Sequence, residues 1–436
     1  MPMKHEARAA QGRDQRARLS RAKLGELVPR KSSFDPVRGV IRSGEGRLQA
    51  LLPLKYKKMA VSPFAFFRGS VSLMATDLAS GPNTGLTVQL CGDAHVQNLG
   101  SFGAPDGRTI FDINDFDETV PGPWEWDAKR MAASIVLAGM EIGQTREACR
   151  SAAEAFAASY CTLMEYLAGQ PILDAARYQI HRATSAQAVS DALRQAERAI
   201  PSELLAKYTE ANAKGAVQFR KIGKVLWRVS GSRRVEVLQS LKAYRKSLPP
   251  ERVHLFDFFR VVDIGFKVVG TGSVGLRDYV VLMRGNGTKD PLFLQIKQEV
   301  ASAYSPYLKL PEFRNQGQRV AGGQRRIQPL SDLLLGWTKI GEQHYLVRQM
   351  SDHKGGVDLA QLKGEGLRSL GQIAGELLAR GHARSGDAVA IQGYMGSPER
   401  VVKAIARYGM AYADLVHADF EKFQKAIREG RIQLAV

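Results

Sequence analysis

Apolar side chains recur at helical spacing through most of the first half of the chain. Residues 63–79 show this spacing behind Pro63, which is tolerated in the first turn of a helix. Residues 127–169 and 184–247 show it again, and the first of these segments is interrupted near Thr145, a good N-cap residue. The pattern therefore predicts a mainly helical N-terminal half.

Strand-like segments lie between and after these helices. Residues 86–91 and 108–113 are short apolar runs beside turns rich in Pro, Gly, Asn and Asp, so each predicts a strand. Strands are also predicted from about residue 255 onward, in segments 260–283, 291–297 and 344–350. Helical patterns return at 311–335 and from about 357 to the C-terminus. A helix-rich, strand-rich, helix-rich order predicts an α+β fold.

The composition excludes several classes of protein. Hydrophobic residues at 44% and charged residues at 24% are the balance of a globular protein with a large core. No apolar run approaches the ~18 residues of a membrane span, and the N-terminus lacks the apolar core of a signal peptide. The cysteines, Cys91, Cys149 and Cys161, have no metal-site or disulfide spacing. We therefore expect a cytoplasmic protein that has no membrane partner.

The net charge of +19 favours an anionic partner, such as a nucleotide or a phosphorylated substrate. Basic residues are dense in 4–31 and in 214–246, and a solvated helix face explains most of them. Residues 1–35 are predicted to form a basic N-terminal arm. Because no nucleic-acid-binding module is recognisable, a nucleic-acid partner is not expected despite the charge.

Two clusters of acids and amides lie between Cys91 and Asp127. The first follows a predicted strand and the second lies at the end of the next one; their members are Asp93, His95 and Asn98, then Asp112, Asp115 and Asp117. Mg²⁺ prefers hard oxygen ligands and takes one or two carboxylates together with substrate phosphates. The clusters therefore indicate phosphoryl transfer, although residues of these types also form ordinary turns.

A glycine-rich run, Gly270-Thr-Gly-Ser-Val-Gly275, has a predicted strand on each side. It therefore predicts the tip of a β-hairpin and not a dinucleotide fingerprint, which requires a helix after the glycines. A backbone without Cβ atoms can approach nucleotide phosphates closely. A glycine-rich hairpin followed by a strand that carries a lysine is the protein-kinase arrangement. The predicted nucleotide-binding residues are Gly270, Thr271, Gly272, Ser273, Val274, Gly275 and Lys297; a tight turn and a surface lysine are the alternative.

Residues 92–127 resemble the catalytic segment of the aminoglycoside and choline phosphotransferases, in the protein-kinase-like superfamily. The motifs that carry the resemblance are GDAHVQN, INDFD and WEWD. By this resemblance Asp93 is the catalytic base, Asn98 and Asp115 are catalytic metal ligands, and Asp127 is a buried acid that braces the loop. Cys91 stands where the family usually has a histidine.

Some assignments stay open at this stage. Asp117 is either a further metal ligand or an exposed loop acid, and the partner of Lys297 is either Glu299 or Glu312. His382 lies near a helix end, where it either faces the site or caps the helix.

The whole chain is identified as a member of the bacterial family called domain of unknown function 2252, over roughly residues 28–425. The runs that carry this resemblance are VPRKSS, KYKKMAVSPFAFFRGS, CGDAHVQNLGSF, NDFDETVPGPWEWDAKRMAAS, VGTGSVG, LQIKQE, YLVRQMSDHKG and ARGHARSGD. The family name states no activity, so a function has to come from the site.

The catalytic segment precedes the glycine-rich hairpin, which reverses the order in ordinary kinases. We therefore expect a circularly permuted, two-lobe, protein-kinase-like fold. Its predicted parts are the basic arm at 1–35, a large helical lobe at 36–254 with the catalytic and metal-binding loops, a small β-rich lobe at 255–356 with the glycine-rich hairpin, lysine strand and hinge, and C-terminal helices at 357–436 that pack on the large lobe.

The leading hypothesis is an ATP- and Mg²⁺-dependent phosphotransferase. The interval between Asp117 and Asp127 is too short for a peptide-docking segment, which favours a small-molecule hydroxyl acceptor. One alternative is a nucleotidyl transferase that attaches AMP with the same fold. Another is a catalytically silent nucleotide-binding or scaffold protein.

Overall fold

The computed structural model contains both helices and strands. It describes residues 3–180, 187–198, 201–268, 270, 272–288, 290–350 and 355–435. The helices are α1 (His5–Arg18), α2 (Pro36–Arg42), α3 (Leu52–Met59), α4 (Pro63–Gly69), α5 (Val71–Ala79), α6 (Trp124–Glu141), α7 (Arg146–Ala168), α8 (Ile172–Arg177), α9 (Gln187–Arg198), α10 (Pro201–Tyr208), α11 (Gly231–Ser247), α12 (Pro250–Asp257), α13 (Gln316–Ile327), α14 (Gly366–Ser385), α15 (Ala388–Met395) and α16 (Glu399–Arg428). The strands are β1 (Thr87–Leu90), β2 (Leu99–Gly103), β3 (Thr109–Ile113), β4 (Val120–Pro123), β5 (Thr209–Ala211), β6 (Val217–Phe219), β7 (Leu226–Arg228), β8 (Arg260–Lys267), β9 (Asp278–Arg284), β10 (Pro291–Glu299), β11 (Gly336–Ile340), β12 (Gln343–Gln349) and β13 (Gly355–Gly356). The predicted α+β class is confirmed.

The largest sheet is antiparallel throughout and has the strand order β11-β12-β10-β9-β8-β7. Side chains alternate between the two faces of a strand. On β10, Leu294 and Ile296 pack into a core cluster that includes Tyr244 of α11. Lys297 and Glu299 therefore share the opposite face, and both are buried.

Two small antiparallel pairings bring the acid clusters together. The β2–β3 hairpin pairs Leu99 with Ile113, and the Asn114 N–H donates to the Asn98 carbonyl at 3.0 Å just beyond it. The β1–β4 pairing closes the same region from the other side, with Leu90 opposite Val120. The segments that carry the first and second acid clusters are thus held side by side.

Helices α6, α7, α14 and α16 contribute to the main hydrophobic core. Trp124 of α6 stacks on Tyr160 of α7, with ring centroids 5.3 Å apart. Helix α14 approaches α7 so closely that a Cβ atom on Gly375 would lie 2.2 Å from the Phe156 carbonyl oxygen. This contact fixes the C-terminal helices against the helix pair that begins at the catalytic segment.

The predicted basic arm contains a helix, α1, that packs on α15. Arg8 forms an ion pair with Asp387 at 2.7 Å, and Arg16 donates to the carbonyl oxygens of Tyr394 and Gly393. These basic side chains therefore fasten the N-terminal segment to the C-terminal helices.

The structure differs from the sequence expectations in several elements. The helix predicted at 63–79 is divided into α4 and α5 at Ser70, whose hydroxyl donates to the Phe66 carbonyl at 2.7 Å. The helical pattern at 184–247 contains three strands, β5 to β7, each only three residues long and too short to show a period. Strand β7 joins the large sheet although it precedes residue 255, where the strand-rich part of the chain was predicted to begin.

Four further strands, β2, β4, β11 and β13, were not predicted, and the pattern at 311–335 contains only the helix α13. The break predicted near Thr145 is confirmed: this residue caps α7 by accepting the Ala148 N–H at 3.1 Å. Across the described residues, no helix is long and apolar enough to cross a membrane.

Candidate active site

Asp127, in the first turn of α6, braces the loop that carries Asp93. Its carboxylate accepts the backbone N–H of Cys91 at 2.7 Å and that of Gly92 at 3.0 Å. Gly92 has φ +86°, and a Cβ atom there would lie 2.3 Å from the Glu118 carbonyl oxygen. Only glycine fits this turn, so the sharp bend aims Asp93 away from the braced backbone. This is the role that the family resemblance implied for Asp127.

A buried histidine from another part of the chain supports the same carboxylate. His382 Nε2 of α14 lies 3.3 Å from Asp127 Oδ2, and its Nδ1 lies 2.9 Å from the Tyr160 hydroxyl. Two roles were left open for His382, facing the site or capping the helix. Its contact with Asp127 favours the first, from a buried position behind the loop. Burial and Asp127 raise the pKa of the Cys91 thiol, so this residue is a neutral, buried side chain.

Asp93 is held by a buried arginine that sequence reasoning missed. Arg130 Nε and Nη2 both donate to Asp93 Oδ1, at 2.8 and 2.5 Å. The guanidinium also lies over the Phe67 ring, 4.2 Å from its centroid. Burial acts to raise the pKa of Asp93, but the charge and hydrogen bonds of Arg130 oppose it and the net shift is downward. Asp93 is therefore an ionised carboxylate whose Oδ1, and not Oδ2, is bound by Arg130.

His95 lies beside Asp93, lines the same cavity and stays neutral. Its Nε2 is 3.7 Å from Asp93 Oδ2, and its ring meets the Phe64 ring edge-on. Burial lowers the pKa of His95 to about 3, although the Asp93 charge acts in the opposite direction. Its buried Nδ1 has no hydrogen-bond partner within the described residues.

The acids after β3 meet the lysine of β10. Lys297 Nζ lies 2.5 Å from Asp117 Oδ2 and 3.8 Å from Asp115 Oδ1. Ser273 of the glycine-rich hairpin donates its hydroxyl to Asp117 Oδ2 at 3.0 Å. The lysine strand and the glycine-rich hairpin, both predicted to bind one nucleotide, therefore meet at Asp117, which is a half-buried partner of Lys297 and not an exposed loop acid.

The two aspartates differ in their electrostatics. Burial and the Asp117 charge raise the pKa of Asp115 to about 6, with Lys297 opposing them. Burial also acts to raise the pKa of Asp117, but Lys297 holds it well below its usual value. Lys297 thus offsets the negative charge of Asp117 more than that of Asp115.

Neither of the two glutamates considered as partners of Lys297 forms an ion pair with it among the described residues. Glu299 is buried beside the lysine on the same face of β10, and its Oε1 has no hydrogen-bond partner there. Burial raises the pKa of Glu299 well above the usual value. Glu312 is exposed.

The glycine-rich run joins β8 to β9, as predicted for a hairpin tip. Arg47 Nη1 donates to the carbonyl oxygens of Gly272 and Val274, at 2.7 and 2.8 Å. The Leu48 N–H donates to the Gly275 carbonyl at 2.8 Å. These bonds tie the hairpin to the segment between α2 and α3. Thr271 lies outside the described residues.

A cavity of about 440 Å³ collects most of the predicted site residues. Those that line it are Asp93, Asn98, Asp115, Asp117, Gly270, Gly272 and Ser273. Lys297 reaches the cavity through Asp117, whereas Val274 and Gly275 face the Arg47 side of the hairpin. Asp112 points away from it and pairs with Arg380 at 2.5 Å.

The sequence profile of a bacterial family matches residues 47–426. Its description is "Uncharacterized protein conserved in bacteria (DUF2252)". The chain belongs to the DUF2252 family. Comparison with curated proteins and with solved structures found no match. The chemistry of this DUF2252 protein therefore has to be inferred from its own residues.

Arg319 of α13 is a second residue of this DUF2252 site that the sequence did not reveal. It is buried and donates to three backbone carbonyls, those of Thr119, Asp117 and Val300, at 2.7 to 2.8 Å. The arginine therefore holds the acid segment and the end of β10 together. Its signal in the sequence was weak, because an arginine on an amphipathic helix is usually solvated.

Proposed function

We propose that this DUF2252 protein is an ATP- and Mg²⁺-dependent phosphotransferase that acts on a small-molecule hydroxyl acceptor. The observation that carries the proposal is the meeting of Lys297, the glycine-rich hairpin and Asp117 at a cavity that Asp93 also lines. Phosphoryl transfer needs these parts because it depends on positioning and on neutralising phosphate charge. They are far apart in the sequence, so a chance turn does not explain their convergence.

We propose a permuted, kinase-like fold for the same reason. In kinases a glycine-rich hairpin is followed by a strand carrying the phosphate-binding lysine. Here the hairpin joins β8 to β9, and Lys297 lies on β10, directly beside β9 and opposite Asp278. The docking of α14 on α7 supports the part of the proposal in which the C-terminal helices pack on the large lobe.

The proposed base is the Oδ2 oxygen of Asp93. The acceptor oxygen forms a bond to the γ-phosphorus of ATP as the bond from that phosphorus to the bridging oxygen breaks. The hydroxyl proton passes to Asp93 Oδ2, and ADP leaves with the electron pair. Because Arg130 occupies only Oδ1, the carboxylate is oriented and one oxygen is left for the acceptor.

The residues present fit Mg²⁺ that arrives with a nucleotide. Asn98 Nδ2 donates to the Asp93 carbonyl at 3.0 Å, which leaves its side-chain oxygen for a metal. Within the described ranges, no three His, Cys, Asp or Glu side chains form a metal-binding group. Mg²⁺ on phosphates needs only one or two carboxylates, because phosphate oxygens and waters complete its shell. Asp115 and Asn98 would hold it, with Asp117 as a further ligand once Lys297 turns to phosphate.

When bound, Mg²⁺ neutralises charge on the transferring phosphate. Burial and the Asp117 charge raise the pKa of Asp115, and a cation bound between the two aspartates would offset both effects.

A second cavity, of about 420 Å³, is proposed to receive the base and sugar of the nucleotide. Residues from the β2–β3 hairpin, the end of β12 and β13 line it, among them Phe102, Thr109, Asn114, Arg348, Gln349 and Gly355. It includes Asn114, the residue before Asp115, so a nucleotide can extend from it toward the acids. The predicted hinge at 344–356 borders this cavity, except for residues 351–354, which lie outside the described residues.

The test of the proposal is binding of ATP and Mg²⁺ by calorimetry, in the wild type and in Asp115→Ala. The expected result is binding that requires Mg²⁺ and is lost in the variant. Asp414→Ala is the matched control, because that aspartate is exposed, pairs with Arg146 and lines neither cavity. Equal binding by the wild type and Asp115→Ala would contradict the assignment of Asp115 as a ligand of the Mg²⁺ that binds with ATP. Labels on the α- or the γ-phosphate distinguish nucleotidyl from phosphoryl transfer.

A further inference from the structure

The lining of the 440 Å³ cavity includes cations as well as acids. Arg47, Lys55 and Arg68, from the segment between α2 and α5, line it together with the hydroxyl-bearing residues Ser43 and Ser72. None of the three cations forms an ion pair with a carboxylate in the described part of the chain. The acids of the lining and these three cations therefore do not neutralise each other directly.

Lys55 is the most deeply buried of the three. Its side chain is 1% exposed, and its Nζ donates to the Ser43 hydroxyl at 3.1 Å. Burial and the nearby Arg47 lower the pKa of Lys55 to about 7, against the weaker attraction of Glu118. A buried ammonium that has one neutral partner is costly, so an anion beside it would be bound strongly.

Arg68 of α4 also lacks partners. Its buried Nε has no hydrogen-bond partner within the described residues, and the guanidinium lies 5.9 Å from the centroid of the Phe64 ring. Burial lowers the pKa of Arg68, and the carboxylate that opposes this most is Asp93, ahead of Glu141 and Asp115. Arg68 is therefore on the Asp93 side of the cavity.

Arg47 differs from these two because the hairpin carbonyls already occupy its guanidinium. Lys297, the proposed ligand of nucleotide phosphates, already pairs with Asp117. Lys55 and Arg68 are thus the cations of the lining left for a second anion, and Arg68 is close enough to Asp93 to feel its charge.

We propose that the acceptor is a hydroxyl compound that carries an anionic group, a phosphate or a carboxylate, which Lys55 and Arg68 bind while its hydroxyl lies at Asp93 Oδ2. The inference rests on the proposed phosphotransferase function and names its substrate class. A neutral acceptor would leave both cations unpaired beside the reaction.

The test is calorimetric binding to the full-length protein in the absence of nucleotide. The probes are inorganic phosphate, glycerol 3-phosphate and glycerate, with glycerol as the neutral counterpart. At least one anionic probe should bind to the wild type more tightly than glycerol. Arg68→Gln and Lys55→Met should each weaken that binding about tenfold or more, as expected for loss of a charged hydrogen-bond donor. Lys57→Met is the matched control, because Lys57 is on the same helix and exposed.

The same variants are titrated with a non-hydrolysable ATP analogue and Mg²⁺, and thermal unfolding checks that each is folded. Unchanged analogue binding with weakened anion binding supports the inference. Loss of analogue binding with unchanged anion binding overturns it, because the cations would then serve the nucleotide, and the phosphotransferase proposal would stand. Failure of every anionic probe to bind to the wild type also overturns it. Anion binding without any analogue binding would retain the anion site and remove the phosphotransferase proposal. If Lys55→Met does not fold, Arg68→Gln decides the outcome.

Discussion

Arg130 donates two N–H groups to a single oxygen of Asp93, a residue that lines the cavity, and leaves the other oxygen without a hydrogen bond among the described residues. Arg130 lies three positions after Asp127 on α6, so the helix that braces the loop also holds the Asp93 carboxylate. One helix thereby fixes both the backbone and the side chain at the proposed base. The pair explains why a buried aspartate beside a neutral histidine is ionised.

Replacement of Arg130 should impair transfer more than nucleotide binding. In Arg130→Met the Asp93 carboxylate loses its orientation, and a small misplacement of a reacting group costs about 100-fold in rate. We expect kcat to fall by about that factor while the affinity for ATP and Mg²⁺ is unchanged. Arg130→Lys keeps the positive charge but loses the paired N–H donors of the guanidinium, so its kcat should lie between those of the wild type and Arg130→Met. An Arg130→Met enzyme with normal kcat would refute the orienting role.

Asp127→Asn should destabilise the protein. The substitution removes an acceptor from a pair of buried N–H groups, at Cys91 and Gly92, and an unsatisfied buried group costs about 1–3 kcal/mol. Chemical denaturation measures the difference in the free energy of unfolding. Asp414→Asn, at an exposed ion pair with Arg146, is the control and should change it by less than about 1 kcal/mol. Equal effects would show that the bracing contacts contribute nothing.

The close approach of α7 and α14 predicts opposite effects for two glycine substitutions. A Cβ atom at Gly375 would overlap the Phe156 carbonyl, so Gly375→Ala should destabilise by about 1–3 kcal/mol. Gly322, within α13, has no atom within 4 Å of the corresponding position. Gly322→Ala should stabilise by about 0.5–1 kcal/mol, the usual helix preference for alanine. Thermal unfolding of the two variants checks the signs, and two stabilised variants would contradict the packing.

His95 predicts a pH dependence of stability. Burial lowers its pKa in the folded state to about 3, whereas an unfolded histidine titrates near 6.5. Between these values the unfolded chain binds one more proton, so stability falls as the pH is lowered, by up to about 1.4 kcal/mol per pH unit. Above about pH 7 this contribution is constant. His95→Asn should show a shallower loss of stability in denaturant unfolding between about pH 7 and 5, and an identical slope would disprove the assignment.

Local patterns predicted the parts of the site that depend on the neighbouring sequence. Strands on both sides of Gly270–Gly275 indicated a hairpin, and the motif around Asp93 indicated a loop braced by Asp127. The contacts that complete the site were not predictable in the same way. Arg130 and Lys55 belong to no local motif within their helices, and only the fold shows what each one faces.

The clearest example is the histidine that the aminoglycoside and choline phosphotransferases usually have before the Gly-Asp of their catalytic loop. Position 91 is a cysteine, yet a histidine does lie against Asp127, supplied by His382 on α14. A sequence pattern read at one position does not reveal a contact made from a distant helix. Short strands such as β7 were missed for a related reason, since their stability comes from the sheet they join.

The most direct test of the proposed function is transfer of the γ-phosphate of labelled ATP to a panel of hydroxyl metabolites that includes neutral and anionic compounds. The wild type with Mg²⁺ should label at least one acceptor. Asp93→Asn should bind ATP with unchanged affinity and transfer at least about 100-fold more slowly. Transfer that is equally fast in Asp93→Asn, or ATP left intact by the wild type across the whole panel, would contradict the assignment of this site as a phosphotransferase.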